Sequence, residues 1–404
     1  MANLQGKHIL VGISGGIAAY KIPELVRLLQ KQGAEVRVTT TRSALQFVTE
    51  LTLQTLSGAP VYSDVFAAIN EHATEHISLP EWADLMIVAP ATANVLSKFA
   101  YGIADDALTT TFCSCLARKP ILVSPAMNDK MWENPATQQA VSRLRSFENV
   151  TVIEPAEGFL ACGVNGRGRM PEVEELLEHV LSAVTPKTLA GKRVLITAGP
   201  TVEPLDPVRY ISNFSSGKMG YALARECLRR GAEVTLVSGP TAQQLIGHDA
   251  ELTLCPVQTA REMCAAAEEA FREADTAILC AAVADYRPET VAEEKIKKQA
   301  GSHEMTLLLT ENPDIAATLG GQKRPNQTLV GFALETEAEE QHALDKMQRK
   351  QLDYIVLNSL RNEGAGFGTD TNRVTVYRKD GTKKDCPLAS KETVACQILD
   401  AILI

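Results

Sequence analysis

The sequence predicts an α/β protein of two doubly wound parallel-sheet domains, and three observations carry that expectation. Short β-branched runs alternate with helix-length segments along the chain, as parallel strands joined by crossover helices do. The pattern then restarts: GKHILVGISGG at 6–16, leading to QGAEVRVTTT at 32–41, is echoed by GKRVLITAGP at 191–200, leading to RGAEVTLVSG at 230–239. The length of 404 residues, 45% hydrophobic and 22% charged, suits two to three globular domains at roughly 100 to 200 residues each.

In order along the first domain, strands are expected at 7–14, 35–41, 84–90, 120–125 and 150–155, each followed by a helix. An amphipathic helix over 171–184 closes the domain and 185–190, with Pro186, is the linker, so the domains are 1–190 and 191–404. The two openings differ. Gly6 to Gly33 spans 27 residues and Gly191 to Gly231 spans 40, so the second domain carries about 13 extra residues, PTVEPLDPVRYISN at 200–213. Loops at the carboxyl ends of strands form the ligand crevice of an open α/β sheet, which makes this insertion a site candidate. Near the C-terminus, 373–386 reads as a hairpin turning at Asp380-Gly381.

Composition excludes several functions. Lys and Arg number 40 against 49 Asp and Glu, split 15 to 19 before residue 191 and 25 to 30 after it. Neither half is basic, so no nucleic-acid partner is expected. Apolar runs such as 85–90 fall far short of the roughly 20 residues that cross a bilayer. The chain enters a strand within a few residues of Met1, leaving no room for a leader, so a cytoplasmic protein is expected. Nine scattered cysteines with no CxxC pair are expected to be reduced and mostly buried.

The first strand runs into Ser14-Gly15-Gly16, and a helix expected from Ile17 would offer its amides to an anion. The dinucleotide fingerprint is not met. The glycines stand at 12, 15 and 16, and the second strand ends in Thr39-Thr40-Thr41 where a ribose-binding acid belongs. Hydroxyls and tight glycines suit a phosphate monoester, hence flavin mononucleotide (FMN) rather than NAD; a tight turn without a ligand is the other reading. His72-Ala-Thr-Glu-His76 matches the HxxEH zinc pattern, though Pro80 limits the helix that such a site needs. APATAN at 89–94 and PAMNDKMW at 125–132 lie at strand ends. Asn128 suits a carboxylate ligand or a helix cap, the cap being favoured for Asn134. Cys162 lies among Gly158, Gly163, Gly166 and Gly168, in a loop rather than a packed face, whereas Cys113 and Cys115 read as core.

In the second domain SSGKMG at 215–220 is not a P-loop: the earlier glycine is Ser212 and Met219 replaces the metal-binding hydroxyl. It reads as a helix start able to hold phosphate, following Arg209 and Asn213. Asp285 ends a hydrophobic strand, and Lys295-Ile296-Lys297-Lys298 follows. Alone such a run is a solvated face; beside an acid and a glycine-rich helix start it reads as nucleotide-binding.

The motifs GGIAAYK, HISL, APATAN, PAMN..MW and ACG....GRM together resemble the flavin-dependent cysteine decarboxylases. The whole chain is similar to the bacterial bifunctional phosphopantothenoylcysteine decarboxylase/phosphopantothenate-cysteine ligases of coenzyme A synthesis. The resemblance implies a flavodoxin-like flavoprotein domain followed by a Rossmann-like ligase domain. It implies FMN held by Ser14, Gly15, Gly16, Thr41, Ala91, Thr92 and Asn94, His76 and Cys162 as catalytic residues, and Asn128 on the substrate carboxylate. Trp132 stands where relatives often have Tyr. In the ligase it implies CTP with Mg2+, an acyl-cytidylate, Lys295 as the main catalytic lysine, and Asn213 and Arg209 at the acyl end. Its nucleotide site would comprise Cys280, Ala281, Asp285, Lys295, Pro313, Asp314, Ile315, Ala316, Phe332, Lys346 and Lys350, with no metal ligand assigned. Phe332 reads equally as core, Lys346 and Lys350 equally as surface, and the residues do not separate CTP from ATP. The resemblance also implies homo-oligomers: trimers of the first domain assembled into a dodecamer, FMN at subunit interfaces, and dimers of the ligase domain. A zinc hydrolase on HxxEH is one rival. A flavin-binding subunit without turnover is another, against which Cys162 and the Lys295–Lys298 run argue.

Overall fold

Helices pack on both faces of a parallel sheet in each of two units, Met1–Thr185 and Pro186–Ile404, into which the chain divides. The computed structural model describes residues 4–66, 74–116, 119–159, 163, 165–248, 250–297, 304–335, 338–359, 366 and 368–402. In the first unit β1 (His8–Ile13), β2 (Glu35–Thr40), β3 (Val61–Tyr62), β4 (Leu85–Ala91), β5 (Ile121–Pro125) and β6 (Val150–Val152) form one sheet in the order β3-β2-β1-β4-β5-β6, all parallel. With the two-residue edge strand β3 set aside, this is the flavodoxin-like order. A parallel strand is covered on both faces, and all of β4, LMIVAPA, is buried. β7 (Ala156–Phe159) and β8 (Asn165–Arg169) form a separate antiparallel hairpin.

The helices of this unit are α1 (Ile22–Lys31), α2 (Glu50–Ser57), α3 (Glu75–Trp82), α4 (Ala93–Tyr101), α5 (Ala107–Cys115), α6 (Asp129–Trp132), α7 (Pro135–Arg145) and α8 (Val173–Val184). α1, α2 and α8 bury Leu25, Leu29, Leu53, Leu176 and Val180 on one face of the sheet. α3, α4, α5 and α7 bury Leu79, Leu96, Phe99, Phe112 and Leu144 on the other.

Two local expectations are corrected. The chain leaving β1 forms a 3-10 turn, Ile17–Lys21, and the α-helix begins only at Ile22. Pro23 explains the shift, because proline fits the first turn of an α-helix, where its missing N–H is not needed. α3 also runs through Pro80 to Trp82 instead of stopping before it; proline has no amide to donate, so the His76 carbonyl goes without its i+4 bond.

The second unit contains β9 (Arg193–Ala198), β10 (Val202–Pro204), β11 (Tyr210–Ser212), β12 (Glu233–Ser238), β13 (Leu252–Pro256), β14 (Thr276–Leu279), β15 (Tyr286–Pro288), β16 (Leu309–Glu311), β17 (Thr328–Glu335), β18 (Tyr354–Ser359), β19 (Thr371–Arg378) and β20 (Lys383–Ser390). Its main sheet runs β13-β12-β9-β14-β17-β18-β19-β20, parallel as far as β18. The antiparallel edge hairpin β19–β20 turns at Asp380-Gly381, as expected, with Gly381 at φ 86. α9 (Lys218–Arg229) and α13 (Lys391–Ile402) cover one face, and α10 (Ala260–Phe271), α11 (Ile315–Gln322) and α12 (Glu339–Arg349) the other. The insertion at 200–213 is the small hairpin β10–β11.

The linker expected over 185–190 packs with the second unit. The Leu189 amide donates to Arg230 O at 2.9 Å, Lys187 Nζ donates to Arg229 O at 2.7 Å, and Leu189 is buried against α9. Cys115 is buried as expected, its thiol pushed up to about 12 by burial, while Cys113 is only half-buried. Among the described residues no helix is long and apolar enough to cross a membrane.

α9 and α13 are joined through two buried guanidinium groups that reach carboxylates on α13. Arg230 donates to Glu226 at 2.8 Å and pairs with Asp400 at 2.7 Å, and Arg229 donates to Glu392 at 3.0 Å. Charges out of water need such partners. A fragment from Pro186 to Ile404 is expected to fold alone and cooperatively in denaturant, and Glu226→Ala within it to cost about 3 kcal/mol, because a buried guanidinium loses a carboxylate. A midpoint shift below about 0.5 kcal/mol would mean that the cluster contributes nothing to the fold.

Candidate functional site

At the carboxyl end of β1, Ser14 is fully buried and its hydroxyl joins two loops. Oγ donates to Pro90 O at 2.7 Å and accepts the Thr92 amide at 3.0 Å, tying the segment after β1 to the end of β4. These adjacent strands connect in opposite directions, so the crevice of an open sheet opens between them. Gly15 is required by close approach: a Cβ there would lie 2.4 Å from Ser43 Cβ. The first bond of the 3-10 turn, Ala19 N–H to Gly16 O at 2.9 Å, leaves the Ile17 and Ala18 amides ahead of the ladder.

A cavity of about 600 Å³ lies here, lined by Gly15, Gly16, Ile17, Ala18, Thr92 and Asn128, with Met127, Met131, Met170 and Phe159 as apolar walls. Lys21 and Arg169 reach it from either side and both bond to Glu172, Lys21 at 2.6 Å. Size and lining suit a flat heterocycle, and open amides beside glycines suit an attached phosphate. The buried hydroxyls of Thr39, Thr40 and Ser124, at the carboxyl ends of β2 and β5, have no partner among the described residues.

Of the residues expected around this cofactor, Gly15, Gly16 and Thr92 line the cavity and Ser14 holds its floor from behind. Thr41 is buried beside it, its amide donating to Ile13 O at 3.0 Å and its Oγ1 accepting the Ala44 amide at 3.2 Å, which shapes the turn that carries Ser43. Ala91 is buried in β4 and Asn94 is exposed on α4. Asn128 and Asn134 are both caps, accepting the Lys130 amide at 3.0 Å and the Ala136 amide at 2.9 Å; the difference is that Asn128 also stands on the cavity wall. His76 is half-buried in the first turn of α3, off that wall, and its buried Nδ1 has no hydrogen-bond partner among the described residues. Cys162 and His72 lie outside the described residues. Sequence reasoning missed Tyr20, Lys21, Phe159 and Arg169. The first two close the GGIAAYK motif, and the others sit on the two hairpin arms, one on either side of Cys162 in the sequence.

The second unit repeats the splice. Ala281 N–H donates to Thr197 Oγ1 at 3.3 Å, Ala282 N–H to Gly199 O at 2.9 Å, and Ala284 N–H to Thr201 Oγ1 at 2.9 Å, binding the segment after β14 to the end of β9 and the start of the insertion. Asn213 Nδ2 adds a bond to Ala282 O at 3.0 Å. Two cavities of about 450 and 430 Å³ open here and share Ala281, Val283, Asp285, Phe332 and Lys346 as a common wall. Glu311 to Ala316, Leu352 and Lys350 complete the first; Asn213, Cys280, Lys391 and the start of α9 from Ser215 to Gly220 complete the second. Gly220 lets α9 approach the sheet, since a Cβ there would lie 2.6 Å from Ala198 Cβ.

The cations around these cavities are held. Lys350 pairs with Asp314 at 2.8 Å and Lys346 donates to Phe332 O at 3.0 Å. Burial pushes the Asp314 carboxyl up, but the bonds from Lys350 and the Ala317 amide outweigh it and keep it below the ordinary carboxylate value. Lys391, 7% exposed, donates to Gly366 O at 3.2 Å and Thr369 O at 2.5 Å; burial, then the nearby Lys218, depress its pKa. Burial pushes the Cys280 thiol up to about 12.

Every residue expected at the nucleotide site lies on these walls except Lys295, which is exposed. Arg209 is off the walls, its guanidinium bonded to Asp206 at 3.0 and 2.6 Å and to Ile296 O at 2.7 Å. Lys298 lies outside the described residues. Thr197, Asn372 and Lys391 were missed; each comes from a different element, and only the folded sheet brings them together.

Two family models divide the chain: Flavoprotein matches residues 1–185, and the DNA/pantothenate metabolism flavoprotein C-terminal domain matches 189–404. The coenzyme A biosynthesis bifunctional protein CoaBC of Bacillus subtilis is 46% identical over 402 residues, covering 99% of this chain and 97% of that protein. Its Escherichia coli counterpart is 45% identical over 404 residues, covering 99% and 98%. A crystal structure of the C-terminal domain of a CoaBC protein is 42% identical, covers 54% of this chain and 96% of its own, and superposes with a TM-score of 0.45. With both family models matched and relatives aligned along nearly the whole length, this chain belongs to the family of coenzyme A biosynthesis bifunctional proteins.

Proposed function

We propose that the chain catalyses two successive steps of coenzyme A synthesis: the second unit joins 4'-phosphopantothenate to cysteine with CTP, and the first decarboxylates the product to 4'-phosphopantetheine. The observation that carries the ligase half is the pair of cavities sharing one wall that holds Asp285 and Lys346, with Lys350 on the first cavity and the start of α9 on the second. In the first cavity a nucleotide would meet Lys346, Lys350 and the 313–316 turn, with Mg2+ as phosphate counter-ion; the second would take the acyl phosphate substrate at Asn213 and the start of α9. The carboxylate attacks the α-phosphorus and pyrophosphate leaves; the cysteine amine then attacks the acyl carbon and CMP leaves. Lys295 offsets the phosphate charge that develops.

In the first unit Ser14, Gly15, Gly16, Thr41, Ala91, Thr92 and Asn94 hold FMN. When bound, the flavin supplies the two-electron oxidation of the substrate thiol that lets CO2 depart, and the later hydride return. Asn128 orients the carboxylate, His76 takes the thiol proton, and Cys162 returns a proton to the enethiolate. The apolar rim of Ile17, Tyr20 and Phe159, 57%, 61% and 72% exposed, supports burial against a second copy in a homo-oligomer, with the dodecamer as the assembly. The protein acts in the cytoplasm, where its thiols stay reduced. Purified protein given 4'-phosphopantothenate, cysteine, CTP and Mg2+ should yield CMP, pyrophosphate and 4'-phosphopantetheine by mass spectrometry; no product that depends on CTP would end the ligase reading.

Cys162→Ser is expected to retain flavin but to accumulate the dehydrogenated product after CO2 loss, because serine is a poorer acid. Normal 4'-phosphopantetheine output would sink that role. His76→Asn is expected to stop CO2 release while His72→Asn leaves it within about twofold; equal damage from both, with bound zinc, would favour the metal reading.

Lys350→Gln is expected to raise the KM for CTP about tenfold, by loss of one charge-assisted contact worth about 1.4 kcal/mol. The Asp314 carboxyl titrates below its unfolded value, so its pair with Lys350 is complete above the ordinary carboxylate pKa of about 4 and is lost only as pH falls through the lowered value. The KM for CTP should therefore be flat around neutrality, and a change near neutral pH that persists in Lys350→Gln would show another group to be responsible.

A further inference from the structure

Asp206 stands in the turn between β10 and β11, 3% exposed. Its Oδ1 accepts the amides of Val208 at 2.8 Å and Arg209 at 2.9 Å. Its Oδ2 accepts Arg209 Nε at 3.0 Å, Arg209 Nη2 at 2.6 Å and the Ile296 amide at 3.1 Å, from a residue 90 positions later. The same Arg209 Nη2 donates to Ile296 O at 2.7 Å. Both backbone polar groups of Ile296 are thus held by one ion pair, and the Ala292 amide adds a bond to Leu205 O at 3.0 Å. The Arg209 guanidinium first, with the turn amides and that of Ile296, holds the Asp206 carboxyl far below the usual carboxylate range, so the clamp is charged at neutral pH.

Ile296 is the residue between Lys295 and Lys297, both of which are exposed. They ride on an arm, 286–297, that leaves the first cavity at Tyr286, whose strand partner Glu311 lies on the same wall. The clamping hairpin leads through β11 to Asn213 on the wall of the second cavity. A merely solvated charged face needs no buried carboxylate to grip its backbone. Since Asp206 neutralises Arg209, the grip adds no net charge that would compete with the lysines for an anion.

The geometry points to the Asp206–Arg209 pair as the device that positions Lys295: by fixing the Ile296 peptide from both sides it limits where the neighbouring ammonium can reach. This rests on the reading of Lys295 as the ligase lysine, and it gives Arg209 a role exerted through the arm. Asp206 is a positioning residue, because a misplacement of about 1 Å in a reacting constellation costs about 100-fold in rate.

The test uses the full-length protein with FMN. Asp206→Asn and Arg209→Gln are made alone and on Lys295→Gln, with ligation kcat and CTP KM measured, decarboxylation followed as an internal control, and amide exchange followed over 289–297. The single variants should lose about 100-fold in ligation kcat with CTP KM within about threefold, keep decarboxylation, and exchange faster in the arm. On the Lys295→Gln background either substitution should cost less than about twofold more, since its effect has been removed already. Losses that multiply, or a normal ligation rate in Asp206→Asn beside an impaired Lys295→Gln, overturn the proposal alone. Undiminished ligation in Lys295→Gln overturns the Lys295 reading and the proposal with it. If Asp206→Asn fails to fold, Arg209→Gln, whose side chain is 42% exposed, carries the same comparisons.

Discussion

Both cavity systems depend on one kind of contact, a buried hydroxyl that grips the backbone at the end of the neighbouring strand. A parallel strand ends with main-chain groups that have no further ladder, and at the point where connections diverge no adjoining strand is left to take them. Ser14 meets that need for Pro90 and Thr92, and Thr197 and Thr201 meet it for Ala281 and Ala284. With the loop bases fixed in this way, the glycines can press backbone against backbone and leave amides facing open space. Methyl groups in place of these hydroxyls would keep the sheets and lose the shape of their mouths.

Charge is arranged on the same economy. The cations at the cavities rest on neutral carbonyls or on a single carboxylate: Lys346 on Phe332 O, Lys391 on Gly366 and Thr369, Lys21 and Arg169 together on Glu172. A carbonyl satisfies an ammonium proton without cancelling its charge, so these sites stay positive while their side chains stay ordered. In the first unit two cations share one anion, leaving an excess beside an otherwise apolar wall.

The repeat of GKHILVGISGG by GKRVLITAGP made the two-unit architecture legible, because a parallel strand buried on both faces writes itself as an apolar run closed by small residues. The walls of the second unit's cavities were legible through motif resemblance at Asp285, 313–316, Phe332, Lys346 and Lys350. What stayed hidden was long-range: Lys391 reaches the second cavity from the last helix, and Asp206 meets Ile296 across 90 residues, with no local pattern to announce either. Helix periodicity at Ile17 was overruled by Pro23 in the following turn, and Pro80 was overruled by the packing of Leu79 and Trp82 on the sheet. Residues 185–190 read as a linker because Pro186 is a breaker, yet Leu189 is apolar and finds α9.

The wall of the second cavity carries a sulfur of its own. A thiolate at Cys280, set beside an activated acyl group, would compete with the amine of free cysteine and end as a thioester on the enzyme. Burial lifts this thiol to about 12 and keeps it protonated at neutral pH. A thiol held in its protonated form is a poor nucleophile, so an acyl group activated beside this wall would meet the amine of free cysteine as its stronger competitor.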